Sequence, residues 1–328
     1  LDIEQVKGIT HTIAEKLRDI GINTVENLIT YTTNELASML NMKEEEVERF
    51  MIEAWRSKGY WFTPATELAE KMGEEEVFTT GSEAFDNLLG GGVHSRSITE
   101  LIGKFGVGKT QVAYTVLVEA LGSRPDITAV FFDSEKGFKD KRLKEIAAKR
   151  GYEPAELLKR VTVVPVLSSN HLMKTIKWAN KLFEDERVKL LIVDSIIAPF
   201  RTDYPGREFT ATRQQMLNRA LHMLLSRAKA FNMAVVVTNQ VVSSPQEVFS
   251  FDPLASEQPA GGNILAHTSQ ERIHIRKGRG DTRIVQLIDS SWLPPGECLF
   301  RITDKGIEDI EEKPRRAEAV AQKAYACA

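Results

Sequence analysis

Cysteine is almost missing from this chain of 328 residues, which carries only Cys298 and Cys327. Two thiols cannot build the framework that staples small secreted domains, so a reducing interior is the expected setting. Long apolar runs are missing as well. No stretch approaches the roughly 20 residues that cross a bilayer, and no membrane partner is expected. Leu1-Asp2-Ile3-Glu4-Gln5 lacks the basic-then-apolar pattern of a secretion signal. A large charge excess is absent too. The net charge is −3, which excludes a wholesale polycation but leaves room for a local basic stripe. No internal repeat is present, which sets solenoids and propellers aside. What remains is 42% hydrophobic and 27% charged, the composition of a folded globular protein of about two domains.

Residues 1–58 read as a small all-α domain. Apolar residues return at helical spacing over 13–20, 25–31, 36–40 and 47–55, with Thr24, Thr33 and Asn41 as expected N-caps. Residues 59–76 read as a linker, from Gly59-Tyr60-Trp61-Phe62 to Glu74-Glu75-Glu76. Residues 77–312 alternate strand and helix. Strands are expected at 98–102, 129–133, 161–166, 190–194 and 234–238. Helices are expected from Thr110 and over 139–150, 169–184 and 210–232. The alternation predicts an α/β fold, a mostly parallel sheet with helices on its faces. Residues 241–263 are rich in Ser, Pro and Gly and predict a long functional loop. Short β segments are expected at 271–276, 283–288 and 298–302. The tail, 313–328, reads as disordered or as a short helix.

Gly103-Lys104-Phe105-Gly106-Val107-Gly108-Lys109-Thr110 fits the pattern G-x-x-x-x-G-K-[ST] between an expected strand and an expected helix. The residue types suit a polyphosphate. Glycines let consecutive backbone N–H groups turn toward phosphate oxygens, and the helix N-terminus adds partial positive charge. ATP and Mg²⁺ are therefore the expected ligands, with Lys109 on the β/γ-phosphates and the Thr110 hydroxyl on Mg²⁺. Hydrolysis needs a carboxylate behind the metal and a group that orients water. Asp194 ends the apolar run Leu190-Leu191-Ile192-Val193, at the strand end where parallel-sheet sites gather. Glu135 follows Phe131-Phe132-Asp133-Ser134 and is a candidate to polarise water. Gln240 follows Thr238-Asn239 and is a candidate γ-phosphate sensor. Each also has a plainer reading, as a helix-capping Asp, a surface Glu and a satisfied strand-end amide.

Together these segments resemble the RecA-type strand-exchange recombinases, specifically archaeal RadA and its eukaryotic relatives. The resemblance covers roughly residues 5–312. It rests also on Leu88-Leu89-Gly90-Gly91-Gly92, Phe200-Arg201-Thr202-Asp203-Tyr204-Pro205-Gly206-Arg207, Gly261-Gly262-Asn263-Ile264 and Thr303-Asp304-Lys305-Gly306. It implies a RecA-like core behind a helix-hairpin-helix-like N-terminal domain. It implies catalytic roles for Glu135, Lys109 and Gln240, and Mg²⁺ on Thr110 and Asp194. Gly103, Phe105, Gly106, Val107, Gly108, Lys109, Thr110 and Gln111 would meet ATP, with Arg142 on the adenine. Asp289 and Pro294 would cap a neighbouring subunit's nucleotide. Phe105 and His267 would face each other across subunits. Phe62 and Ala65 would form the F-x-x-A polymerisation motif of a homo-oligomer, a helical filament or a ring. Single- and double-stranded DNA and recombination mediators are the implied partners. The implied compartment is the archaeal cytoplasm, or a nucleus in a eukaryote.

Three departures from the family accompany this. Lys7-Gly8-Ile9-Thr10-His11 keeps one of the two usual hairpin glycines. Glu208 and Phe209 replace glycine after Arg207. The second DNA loop, 243–260, is longer and contains no Lys or Arg. Arg201, Tyr204, Arg207 and Arg213 are nonetheless the expected DNA contacts, with Arg219 nearby. A second basic group comprises Arg276, Lys277, Arg279 and Arg283, and Phe209, Phe249 and Phe251 are candidate base-stacking rings. The expectation is a DNA-dependent ATPase that pairs and exchanges strands. A nucleotide-binding paralogue that regulates a true recombinase is the alternative.

Overall fold

The computed structural model describes residues 1–243, 257–259 and 268–310. His267, Phe249, Phe251, Cys327 and the tail fall outside them. Four helices come first: α1 (His11–Asp19), α2 (Val25–Leu28), α3 (Thr33–Leu40) and α4 (Glu44–Ser57). Their inward faces bury Leu17, Leu28, Leu36, Val47, Phe50 and Ala54 in one cluster. Thr24 caps α2 as expected. Thr32, not Thr33, caps α3, because Glu35 three residues on completes a reciprocal capping box. Asn41 ends α3 in a left-handed conformation instead of opening the next helix. The expected linker also contains a helix, α5 (Ala65–Met72), opened by Pro64. Leu68 and Met72, one turn apart, were its signal.

The α/β part begins with β1 (Val77–Phe78), α6 (Glu83–Leu88), β2 (Val93–His94) and β3 (Ile98–Ile102). It continues with α7 (Lys109–Ser123), β4 (Thr128–Asp133), α8 (Asp140–Lys149), α9 (Pro154–Leu158) and β5 (Val161–Pro165). Next come α10 (Ser169–Trp178), α11 (Asn180–Phe183), β6 (Val188–Asp194), α12 (Ala198–Asp203), α13 (Thr210–Phe231) and β7 (Ala234–Asn239). β8 (Val241–Ser243) and β9 (Glu257–Pro259) pair antiparallel where only loop was expected. β10 (Glu271–Lys277), β11 (Thr282–Ser290), β12 (Gly296–Thr303) and β13 (Gly306–Asp309) follow.

Nine strands form the central sheet in the order β13-β12-β11-β10-β3-β7-β6-β4-β5. Those from β10 to β5 run parallel, and β11, β12 and β13 extend the sheet antiparallel. Successive residues of β4 serve opposite faces. Ala129 and Phe131 pack with α7 and α8 on one side. Val130 and Phe132 pack with α10 and α13 on the other. Strands buried on both sides are continuously apolar, which is why they were legible.

The helical cluster docks on the sheet domain through polar groups. Glu184 accepts from Asn23 N (3.1 Å), Asn23 Nδ2 (2.9 Å) and Asn27 Nδ2 (2.7 Å). Asn180 Nδ2 donates to Asn27 Oδ1 at 2.7 Å. Asn27 and Asn180 are both buried. The linker is anchored at its two ends. Tyr60 donates its hydroxyl to Lys229 O (2.8 Å). The Arg96 guanidinium donates to the carbonyls of Met72 (2.9 Å), Gly73 (2.8 Å) and Glu74 (2.8 Å). Removing one partner of a buried polar pair leaves the other unsatisfied. Glu184→Ala is therefore expected to destabilise this docking by about 1–3 kcal/mol. Denaturant unfolding should show a lower midpoint for the mutant. An unchanged midpoint would mean that the asparagines find other partners.

Candidate nucleotide site and DNA loop

The carboxyl ends of β3, β7, β6 and β4 lie side by side, with Ile102 opposite Asn239 and Asp133 opposite Asp194. The loop after β3 carries the glycine pattern. A Cβ at Gly103 would sit 2.4 Å from Ile275 O, so only glycine fits there. Gly108 turns into α7 with φ at 111°, a conformation that glycine adopts without strain. Arg283 braces the loop from β11 by donating Nε to Val107 O (2.8 Å). Arg283 is thus a support of this loop and not a free member of the second basic group.

Lys109 is buried and donates Nζ to Gly103 O (2.8 Å) and Lys104 O (2.9 Å). Thr110 Oγ1 donates to Asp194 Oδ2 at 2.7 Å. The Thr238 hydroxyl donates to the other oxygen of Asp194. Burial pushes the Asp194 carboxyl up, against the pull of the two threonine hydrogen bonds. Burial pushes the Lys109 ammonium down, while Asp194 and Glu135 pull it up. Sequence reasoning missed Thr238 as the second support of Asp194. The available signal was its place beside Asp194 at the end of a neighbouring strand. It also missed Ser134, whose Oγ accepts from Ser195 N at 2.7 Å and ties β4 to β6.

Phe105, Gly106, Gly108, Lys109, Thr110, Gln111, Glu135, Asp194, Gln240 and Ile302 line one cleft. Gln240 Nε2 donates to Glu135 Oε1 at 2.8 Å. Arg142 Nε donates to Gln111 Oε1 at 2.9 Å, and its other nitrogens reach the Thr303 and Asp304 carbonyls. This guanidinium ties α7 and α8 to the β12–β13 turn. Asp289 and Pro294 do not line the cleft. Asp289 pairs with Arg272, which pairs with Glu100 on β3, so it lies away from the loop end of that strand. Among the described residues no group of three His, Cys, Asp or Glu side chains stands together as a metal site. Thr110 and Asp194 suit Mg²⁺, which binds through few protein oxygens and keeps waters and phosphates as its other ligands.

The expected first DNA loop is shorter than the sequence suggested. Arg201 lies on α12, and Arg213 and Arg219 lie on α13, leaving 204–209 between the helices. Arg213 Nη1 donates to Tyr204 O (2.8 Å) and Gly206 O (3.3 Å), so it holds the loop in shape. The Tyr204 and Phe209 rings lie 6.5 Å apart. Arg207 and Glu208 are exposed. Arg276 pairs with Glu297 at 3.1 Å, while Lys277 and Arg279 are exposed. Arg201 Nη1 donates to Gln240 Oε1 at 3.1 Å. Phe62 is 90% exposed and Phe105 88%, so neither ring contributes to the chain's own core. Ala65 is exposed beside Phe62.

A parallel sheet with a phosphate loop after β3 and a buried Asp two strands away defines a RecA-like nucleotide-binding protein. Residues 74–310 match the family described as Rad51. Two similar proteins carry the name "DNA repair and recombination protein RadA". That of Metallosphaera sedula is 35% identical over 315 residues, 94% of this chain and 96% of that protein. That of Aeropyrum pernix is 35% identical over 314 residues, 94% of this chain and 97% of that protein. The chain belongs to the Rad51 family.

Gly103→Ala is expected to destabilise the fold by about 1–3 kcal/mol, because its methyl must displace the β10 backbone. Thermal unfolding of the mutant checks this. A melting point equal to wild type would mean the loop has room that its geometry denies.

Proposed function

We propose that this chain is a RecA-superfamily recombinase that hydrolyses ATP and assembles into helical filaments on single-stranded DNA. The filament would pair that strand with homologous duplex and exchange the two. The observation that carries the reading is one cleft that gathers Lys109, Thr110, Asp194, Glu135 and Gln240 at the sheet's carboxyl edge. The printed names of the two archaeal relatives support it, as does family membership. The archaeal nucleoid is the corresponding place of action.

The protein's own groups have distinct tasks in this reading. Mg²⁺ would neutralise phosphate charge. Thr110 and Asp194 present the oxygens that hold it. Lys109 exchanges two contacts to neutral carbonyls for bonds to anionic phosphate oxygens, which add ion–ion attraction. Those bonds also offset the burial that disfavours its ammonium. Glu135 accepts a proton from the attacking water, and Gln240 lies against Glu135 to sense the terminal phosphate. Asp289 and Pro294 lie too far along the sheet to serve their own cleft. That position supports a role over a neighbour's nucleotide. The complete catalytic set supports an enzyme over a regulatory paralogue. Electron microscopy with and without single-stranded DNA, in a non-hydrolysable ATP analogue, tests the reading. Absence of DNA-dependent filaments would refute it.

Two substitutions separate chemistry from assembly. Glu135→Gln is expected to keep nucleotide binding and filaments while slowing phosphate release by about 10²-fold or more, since the amide cannot accept the proton. Wild-type turnover would remove Glu135 from the role. Phe62→Glu is expected to give a folded monomer. The ring's burial in a neighbour is worth about 2 kcal/mol, and a carboxylate there would be desolvated without a partner. Light scattering should show the loss of large assemblies, with DNA-stimulated hydrolysis falling alongside. Persistent filaments would exclude Phe62 from the contact.

A further inference from the structure

Three side chains form a continuous hydrogen-bonded chain from the nucleotide cleft to α12, the helix that leads into the expected DNA loop. Glu135 follows β4, Gln240 follows β7, and Arg201 lies on α12. Gln240 Nε2 is 2.8 Å from Glu135 Oε1, and Arg201 Nη1 is 3.1 Å from Gln240 Oε1. The chemistry fixes the direction of the amide. A guanidinium only donates and an ionised carboxylate only accepts. The amide between them must therefore turn its oxygen to Arg201 and its nitrogen to Glu135. Glutamine serves both neighbours where a glutamate would repel Glu135.

α12 is anchored independently of this chain. Asp203 at its end accepts from Ser169 N (2.7 Å) and Ser169 Oγ (2.6 Å). Arg201 is exposed, so its guanidinium is open to a competing acceptor. The same segment leads directly into Tyr204 and Arg207. A phosphodiester is the stronger acceptor, because its negative charge adds ion–ion attraction to the bond that the cationic guanidinium already makes with a neutral amide.

We propose that Arg201 is a positioning residue that couples DNA binding to hydrolysis, an inference that rests on the recombinase reading above. Without DNA, Arg201 fixes the Gln240 amide, and Gln240 occupies the Glu135 carboxylate. When a DNA phosphate takes the guanidinium, Gln240 loses its orienting donor. Glu135 is then free to accept from water. Arg201 is in this account more than one further phosphate contact. It is the group through which the strand reports its presence to the catalytic carboxylate.

The test uses the full chain, ATP with Mg²⁺, and an oligothymidine as the DNA probe. Arg201→Ala is expected to raise DNA-independent hydrolysis several-fold. It is also expected to reduce the stimulation at saturating oligothymidine toward onefold, with ATP affinity unchanged. Arg201→Gln, which keeps reach without charge, should repeat this direction and covers the case in which the alanine variant fails to fold. Arg201→Lys should restore part of the stimulation. A phosphate contact alone would behave differently: basal rate unchanged, more DNA needed for half-stimulation, and full stimulation at saturation. That result overturns the proposal. A wild-type chain whose hydrolysis ignores DNA refutes the recombinase reading and the relay together. A DNA-responsive wild type with an unaltered Arg201→Ala refutes the relay alone.

Discussion

Asp194 is a carboxylate at the buried end of an apolar strand, and the neighbouring strands are arranged to keep it there. Thr110 holds one oxygen and Thr238 the other. The first hydroxyl belongs to the phosphate loop and the second to β7. Burying this carboxyl therefore registers three elements against one another, since a hydroxyl that drifted would leave a buried oxygen unpaired. Glu135 and Gln240 inherit their places from the same register. Each follows directly on a strand whose end is fixed against Asp194 or Ile102.

The opposite arrangement holds at the periphery. The helical cluster and the linker meet the sheet domain through Glu184, the asparagines, Tyr60 and Arg96, and not through a continuous apolar core. Such contacts are directional, so they specify one docking geometry while adding modest net stability. Among the described residues the two most exposed phenylalanines, Phe62 and Phe105, stand outside both cores.

β4, β6 and β7 were legible because burial on both faces leaves continuous apolar runs ended by polar residues, while the half-exposed edge strand β5 was legible from its β-branched run. β1, β2 and β13 were not, because each is too short for any period to register and is placed by its partner strand. α12 was read as loop, since six residues beginning Ala198-Pro199 give no helical repeat. The residues around the cleft were readable from their positions after strands. Their mutual contacts were not. Arg213 and Arg283 carry the charge expected of DNA contacts, yet the structure uses them on backbone carbonyls, which a sequence does not display. The place of Asp289, distant from its own phosphate loop, became visible only with strand order.

The paired anchors of the linker bear on how the chain tolerates change in length. Surface connections usually absorb an inserted residue, because nothing beyond them depends on their span. Here Tyr60 and the Arg96-bound carbonyls fix both ends, and α5 fills much of the interval. One residue added within α5 would rotate what precedes it by about 100° and shift it by about 1.5 Å. The segment thus works as a ruler, and the direction in which Phe62 faces is written in its length.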